Sequence, residues 1–107
     1  MTQAHVLTIA EDFSRFPAGR FKDDGAFSGE RFRDVLVERL RSAEKLVIDL
    51  DGTMGYGSSF LEEAFGGLVR TCAFSAATLH ARIEFRATDK SLVAEVWSYI
   101  DAAKPKR

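Results

Sequence analysis

One stretch decides most of what this chain can become. "KLVIDLDGTMGYGSSFLEEAFGGLVR" (45–70) joins a short apolar run to a glycine-punctuated turn and then to a segment of helical period. The run "KLVIDLD" (45–51) has the length and β-branched content of a buried central strand, and Gly52 bounds it. Beyond the turn, Phe60, Ala64 and Leu68 form one stripe, and Leu61, Phe65 and Val69 form the next. A helix with two adjacent apolar stripes is buried over most of its circumference. Gly66 and Gly67 lie inside this helix, where each costs about 1 kcal/mol relative to Ala. They imply a close approach by something large, such as a strand or helix backbone. A buried strand feeding a buried helix is the kernel of an α/β domain.

The flanks fit that kernel. "HVLTIA" (5–10) alternates as an edge or half-buried strand does. "FSRFPAGRFKDDGAFSG" is broken by Pro17, Gly19, Gly25 and Gly29 and reads as an ordered loop, with a short strand near Arg20 to Lys22. Ser28 is placed to cap a helix over 29–43, in which Phe32, Leu36 and Leu40 recur on one face beside Val35 and Ala43. "ATLHARIEFRA" (77–87) reads as a strand with Leu79, Ala81, Ile83 and Phe85 on one face. Asp89 caps a last helix carrying Leu92, Val93, Val96, Trp97 and Ile100, and 104–107 is a basic tail. Trp97 is expected in the core, or as a docking anchor where exposed. The expectation is one α/β domain over 1–107: a single-layer sheet of about four strands packed by about three helices, with right-handed crossovers.

Composition excludes several classes. The formal net charge of −1, from 15 basic and 16 acidic residues, sets up no field towards nucleic acid or an acidic membrane. Five Phe interleave with Arg15, Arg20, Lys22, Arg31 and Arg33 in the front half, a pattern that can stack on single-stranded nucleic acid. Asp12, Asp23, Asp24, Glu30 and Asp34 cancel that charge locally, so the Phe residues are read as pins holding a loop to the core. The lone Cys72 allows no internal disulfide, fits a reducing compartment and is read as inert. No apolar run approaches the roughly 18–20 residues of a membrane span, and "MTQAHVLTIAEDF" has no secretory pattern. The expected location is the cytoplasm. His5, Cys72 and His80 lack metal-site spacing, so neither a metal nor another cofactor is expected.

The chemistry of the turn admits competing readings. "DLDGT" (49–53) resembles the first motif of the haloacid-dehalogenase phosphatases, which implies Asp49 as nucleophile and Asp51 as acid/base. That machine also needs a Ser/Thr after the next strand, a Lys, and a later acidic pair for Mg²⁺. Thr88 and Lys90 stand for the first two, but no acidic pair follows a further strand. "GTMGYGSS" (52–59) has phosphate-loop spacing, with Ser58 where the Lys belongs, so ATP hydrolysis is not expected. The bland alternatives make Asp49 and Asp51 turn residues and Ser58 or Ser59 a helix cap.

A third resemblance covers nearly the whole chain. "FSRFPAGRFKDDGAFSGERFR" (13–33) and "DLDGTMGYGSSFLEEAFGGLVR" (49–70) look like the two halves of a small bacterial STAS-like family, distantly similar to sulphate-transporter and anti-sigma-factor-antagonist domains. The resemblance implies a non-enzymatic regulatory domain that meets a protein partner, a GHKL-type ATPase or serine kinase. Its working surface would be the turn from Gly52 to Ser59, with Tyr56, Gly57, Ser58 and Ser59 as interaction or phosphorylation candidates. Ser58 matches the phosphorylatable serine of the antagonists, with Gly57 in place of their Asp and Phe60 in place of their small Gly. A phosphate at a helix N-terminus suits the dipole, while Asp49, Asp51, Glu62 and Glu63 oppose it by like charge. Arg20, in the family-like "GR", is the expected partner of Asp49 or Asp51 and so a residue that orders the turn.

Overall fold

A computed structural model describes residues 4–105; the Lys106 and Arg107 end of the basic tail lies outside them. Three parallel strands form one sheet: β1 (Ala4–Thr8), β2 (Lys45–Asp49) and β3 (Ile83–Arg86), with β2 in the middle. The register aligns Leu7, Ile48 and Phe85 across it. Side chains alternate across a strand, so this row shares a face with Leu46 and Ile83. All five are buried. On the opposite face Val6 and Glu84 are exposed beside buried Val47. The β-branched run of β2 therefore occupies the one position shielded on both sides by neighbouring strands.

Helices cover the apolar face. They are α1 (Ile9–Asp12), α2 (Gly29–Ser42), α3 (58–70), α4 (Ala76–Arg82) and α5 (Lys90–Ala102). The first turn of α2 shows how the front loop is fixed. Gly29 and Glu30 donate their N–H groups to the Gly19 and Arg20 carbonyls, and Arg31 donates to Ser28 Oγ. N–H groups that a helix start leaves unpaired thus hold the loop in place. At the other end of α2, the Arg82 guanidinium donates to the carbonyls of Leu40, Ala43 and Glu44. Aromatic rings bind the layers together. Phe32 of α2 lies 5.9 Å from Phe60 and 6.0 Å from Phe65 of α3, and Phe65 meets Phe85 of β3 at 5.4 Å.

The α/β class and the two long helices α2 and α5, with Ser28 and Asp89 as their caps, match the sequence reading. Among the described residues the sheet has three strands, not four. Arg20 to Lys22 forms no strand, because the Asp24 carboxylate accepts from the Arg20 and Phe21 N–H groups and bends the chain into a 3-10 turn, Lys22–Asp24. The 77–87 strand divides into α4 and β3. Ser75 caps Thr78, and the Ala-rich stretch prefers a helix until Ile83. The first strand gives way to α1 at Ile9, where Asp12 accepts from the Thr8 N–H.

Two substitutions probe this packing. A Cβ at Gly29 would sit 2.5 Å from the Phe60 carbonyl and 3.1 Å from Glu63 Cβ. Gly29→Ala should therefore lower stability by about 1–3 kcal/mol, read as a lower urea midpoint. Ala73 holds φ 64° just past α3. Ala73→Gly should raise stability by about 1 kcal/mol by removing the left-handed penalty.

Candidate functional site

The 50–57 turn stands at the C-terminal end of the sheet, where open α/β sheets place their ligand sites. Its two aspartates accept hydrogen bonds from neighbouring groups, although Asp51 stays exposed to solvent. Asp49 Oδ1 accepts from the Asp51 N–H at 3.0 Å, and the Asp51 carboxylate accepts from Thr88 N–H at 3.0 Å and Thr88 Oγ1 at 2.9 Å. The Leu50 N–H donates to Arg86 O, extending the β2–β3 ladder by one bond. Tyr56 OH closes the turn by donating to Leu50 O at 2.8 Å. Burial pushes this phenol up to about 12, helped by the charges on Asp49 and Asp51. Met54 N–H donates to Arg15 O at 2.8 Å, tying the turn to the front loop.

Gly57 is the N-cap of α3 and brings no side chain to that role, so Ser58 and Ser59 do not cap the helix. They fill its first positions with their side chains exposed. The turn before them carries Met54, 71% exposed, and the front loop carries Phe16, 65% exposed, the two most exposed large apolar side chains among the described residues. The bond from Met54 to Arg15 places these two segments together.

Arg20 does not reach Asp49 or Asp51. The loop that carries it is fastened to the start of α2, and its guanidinium meets Glu62 and Glu63 of α3 instead. Arg20 Nη1 donates to Glu62 Oε1 at 2.5 Å and to Glu63 Oε1 at 3.1 Å. Arg70 Nη1 donates to Glu62 Oε2 at 2.6 Å, and its Nη2 reaches Glu63 Oε1 at 3.2 Å. Arg33, buried on α2, donates to Glu63 Oε2. Glu63 is only 6% exposed. Burial works to raise the Glu62 carboxyl, yet hydrogen bonds from Arg70 and Arg20 overcome it and hold the group below the usual carboxylate range.

This cluster explains the paired glycines. A Cβ at Gly67 would lie 2.7 Å from Arg33 Nη1, and one at Gly66 would lie 2.8 Å from Glu62 Oε2 and 3.3 Å from the Tyr99 carbonyl. The close approach inferred from sequence is mainly ionic side chains, with one helix carbonyl. The helix is π-wound over the same residues, Glu62–Gly66. A π-bulge in a helix is rare and often marks a functional position. From sequence, Arg33 is read only as one of the front-half cations and Glu62 and Glu63 only as charges opposing a phosphate; their pairing, and the role of Arg70, come from the structure. The available signal was the spacing of Glu62 and Glu63 from Gly66, Gly67 and Arg70, which lines acids, glycines and an arginine along one face of the helix.

Elsewhere, half-buried Trp97 stacks on His80 with ring centroids 3.8 Å apart, and His80 Nε2 lies 2.8 Å from Asp101 Oδ1. Cys72 is half-buried. Among the described residues no group of three or more His, Cys, Asp or Glu side chains is arranged to hold a metal ion, and no helix is long and apolar enough to cross a membrane.

Four outcomes follow for these residues. Removing Glu63 strands the Arg33 charge, so Glu63→Ala should cost about 3–5 kcal/mol. Arg20→Ala should cost no more than about 1 kcal/mol, because Arg20 is part-exposed and both carboxylates keep another arginine. Urea titration of both variants checks the order. Because the Glu62 pKa is depressed on folding, its contribution is present above the unfolded carboxylate pKa and is lost as pH falls through the folded value. Glu62→Gln should flatten that part of the acid limb. In an ultraviolet pH titration, Tyr56→Phe should remove the phenol that ionises near pH 12.

The profile of one family, the STAS-like domain of unknown function (DUF4325), matches residues 28–92. That span takes in α2, β2, the turn, α3, α4, β3 and the start of α5. The chain belongs to this family. No curated protein and no solved structure matches it.

Proposed function

We propose that this STAS-like chain is a regulatory protein-interaction domain that works through the 52–59 turn and the start of α3, in the manner of an anti-sigma-factor antagonist. One observation carries the reading. Met54 and Phe16 expose their side chains on two segments joined by the Met54 N–H to Arg15 O bond, and Ser58 and Ser59 are exposed where the same turn enters α3. Large apolar side chains left in water at a rigid site are the usual centre of a protein contact. The turn is held from three sides, by Thr88, Arg15 and Tyr56, so it presents a fixed shape. Such pre-organisation lowers the entropy lost on binding.

The partner in this reading is a GHKL-type ATPase or serine kinase, and the switch is a phosphate on Ser58 or Ser59. A phosphate there adds roughly −1.5 to −2 charges to the contact surface. The chain acts without catalysis and without a cofactor, in the cytoplasm. The test is titration calorimetry against the GHKL-type ATPase encoded nearest to its gene. Met54→Asp and Phe16→Asp should each weaken binding at least about tenfold, as loss of an anchor does. Unchanged affinity in both variants would remove the surface from consideration, and mass spectrometry after kinase incubation reads the serines.

A second reading draws on one specific contact. Thr88, the residue that would serve a haloacid-dehalogenase-like phosphatase after its second strand, does lie against Asp51. On that reading Asp49 is the nucleophile and Asp51 the acid/base. Incubation with p-nitrophenyl phosphate and Mg²⁺ decides: turnover abolished by Asp49→Asn would replace the regulatory reading with the enzymatic one.

A further inference from the structure

The cluster on α3 holds three guanidinium groups and two carboxylates. Arg33 pairs with Glu63 and Arg70 pairs with Glu62, which leaves both acids matched one to one. Arg20 is the surplus cation. It binds through Nη1 alone, and a third of its side chain is exposed. Its Nε and Nη2 edge, the fork that grips an oxyanion bidentately, makes no hydrogen bond among the described residues. Withdrawing Arg20 strands neither carboxylate, and its unused edge sets it apart from Arg70, which binds the two acids through both Nη1 and Nη2.

The helix supplies the place for that anion. Backbone bonding is α-helical up to Glu62, whose N–H donates to Ser58 O. Residues three and four apart share a face, so Ser59 lies one turn below Glu62 and Glu63, the two groups that Arg20 now holds. Side chains of a helix lean towards its N-terminus, which brings those carboxylates, and the guanidinium on them, over Ser59. Ser58, about 100° round the axis from Ser59, lies below Glu62 alone and not below Glu63, so only Ser59 sits under both acids.

We propose that Arg20 is a built-in receptor for a phosphate monoester on Ser59. The idea rests on the reading of this turn as a switched surface, and it assigns the switch to the second serine. The transfer is from a nucleoside triphosphate on a partner kinase. Ser59 Oγ forms the new O–P bond, the bond to the diphosphate leaving group breaks, and the hydroxyl proton passes to the kinase's base. Arg33 and Arg70 neutralise Glu63 and Glu62, so the like-charge repulsion that α3 would otherwise exert is already met within the cluster. The phosphate ties the front loop that carries Phe16 to α3, and turns the 52–59 surface anionic without unfolding it.

The experiment installs phosphoserine at 59 and, in a separate protein, at 58, and follows each by phosphorus NMR against pH. The phosphate at 59 should lose its second proton roughly half a unit or more below the phosphate at 58, because a guanidinium favours the dianion. Arg20→Gln should abolish that difference. Equal midpoints at the two positions, or a difference that survives Arg20→Gln, overturns the proposal. A source arm adds inorganic phosphate to the unmodified chain. An Arg20 Nε–Hε resonance that moves with free phosphate but not with phosphoserine 59 also overturns it, because the receptor then serves a free anion. Calorimetry of Met54→Asp and Phe16→Asp reads the contact surface without any phosphate, so failure of the receptor and failure of the surface are distinguishable.

Discussion

A carboxylate taken out of water is the constraint around which the rest of this fold is arranged. Glu63 lies inside the seam between α2, α3 and the front loop, and a buried ion costs several kcal/mol unless it is matched. Three arginines from three segments of chain converge on it. Each brings its own segment into register: Arg33 sets α2 against α3, Arg70 closes the helix upon itself, and Arg20 fastens the loop. Gly66 and Gly67 leave the room these groups occupy. An apolar core of equal volume would hold the helices together at least as well. It would not dictate where the loop docks, and the ionic seam does.

The seam and the turn are parts of one end of the molecule. The loop fastened by Arg20 continues back to Arg15, whose carbonyl receives Met54. The same loop feeds Gly19 and Arg20 carbonyls to the start of α2. The 52–59 turn thus leans on a loop that is itself held by ion pairs and helix N–H groups. A surface built this way is rigid although it contains little regular structure, and rigidity suits a contact whose readout is a change of charge.

Much of this was legible along the chain. Stripes of Phe32, Leu36 and Leu40 and of Phe60, Ala64 and Leu68 placed α2 and α3, and Ser28 and Asp89 marked two helix starts. The run at 46–48 marked the central strand. The misreadings share one cause. "ATLHARIEF" alternates well enough for a strand, but a cap at Ser75 and the alanines made its first half helical. The Arg20 segment looked extended, but Asp24 captured its N–H groups. In both places a side chain competed locally with the backbone pattern, and hydrophobic period is blind to such competition.

By itself, the sequence determined the α/β class, the central strand, the turn behind it and the helix that follows, because burial periodicity and capping act between residues near in sequence. Only the tertiary structure decided which acid each arginine meets, that Asp51 meets Thr88, and that the segments carrying Met54 and Phe16 are joined. Those choices join residues tens of positions apart, and no local preference encodes them. They follow from a buried carboxylate that needs counter-charge and a turn whose polar groups need partners, each met by whatever the assembled layers bring within reach.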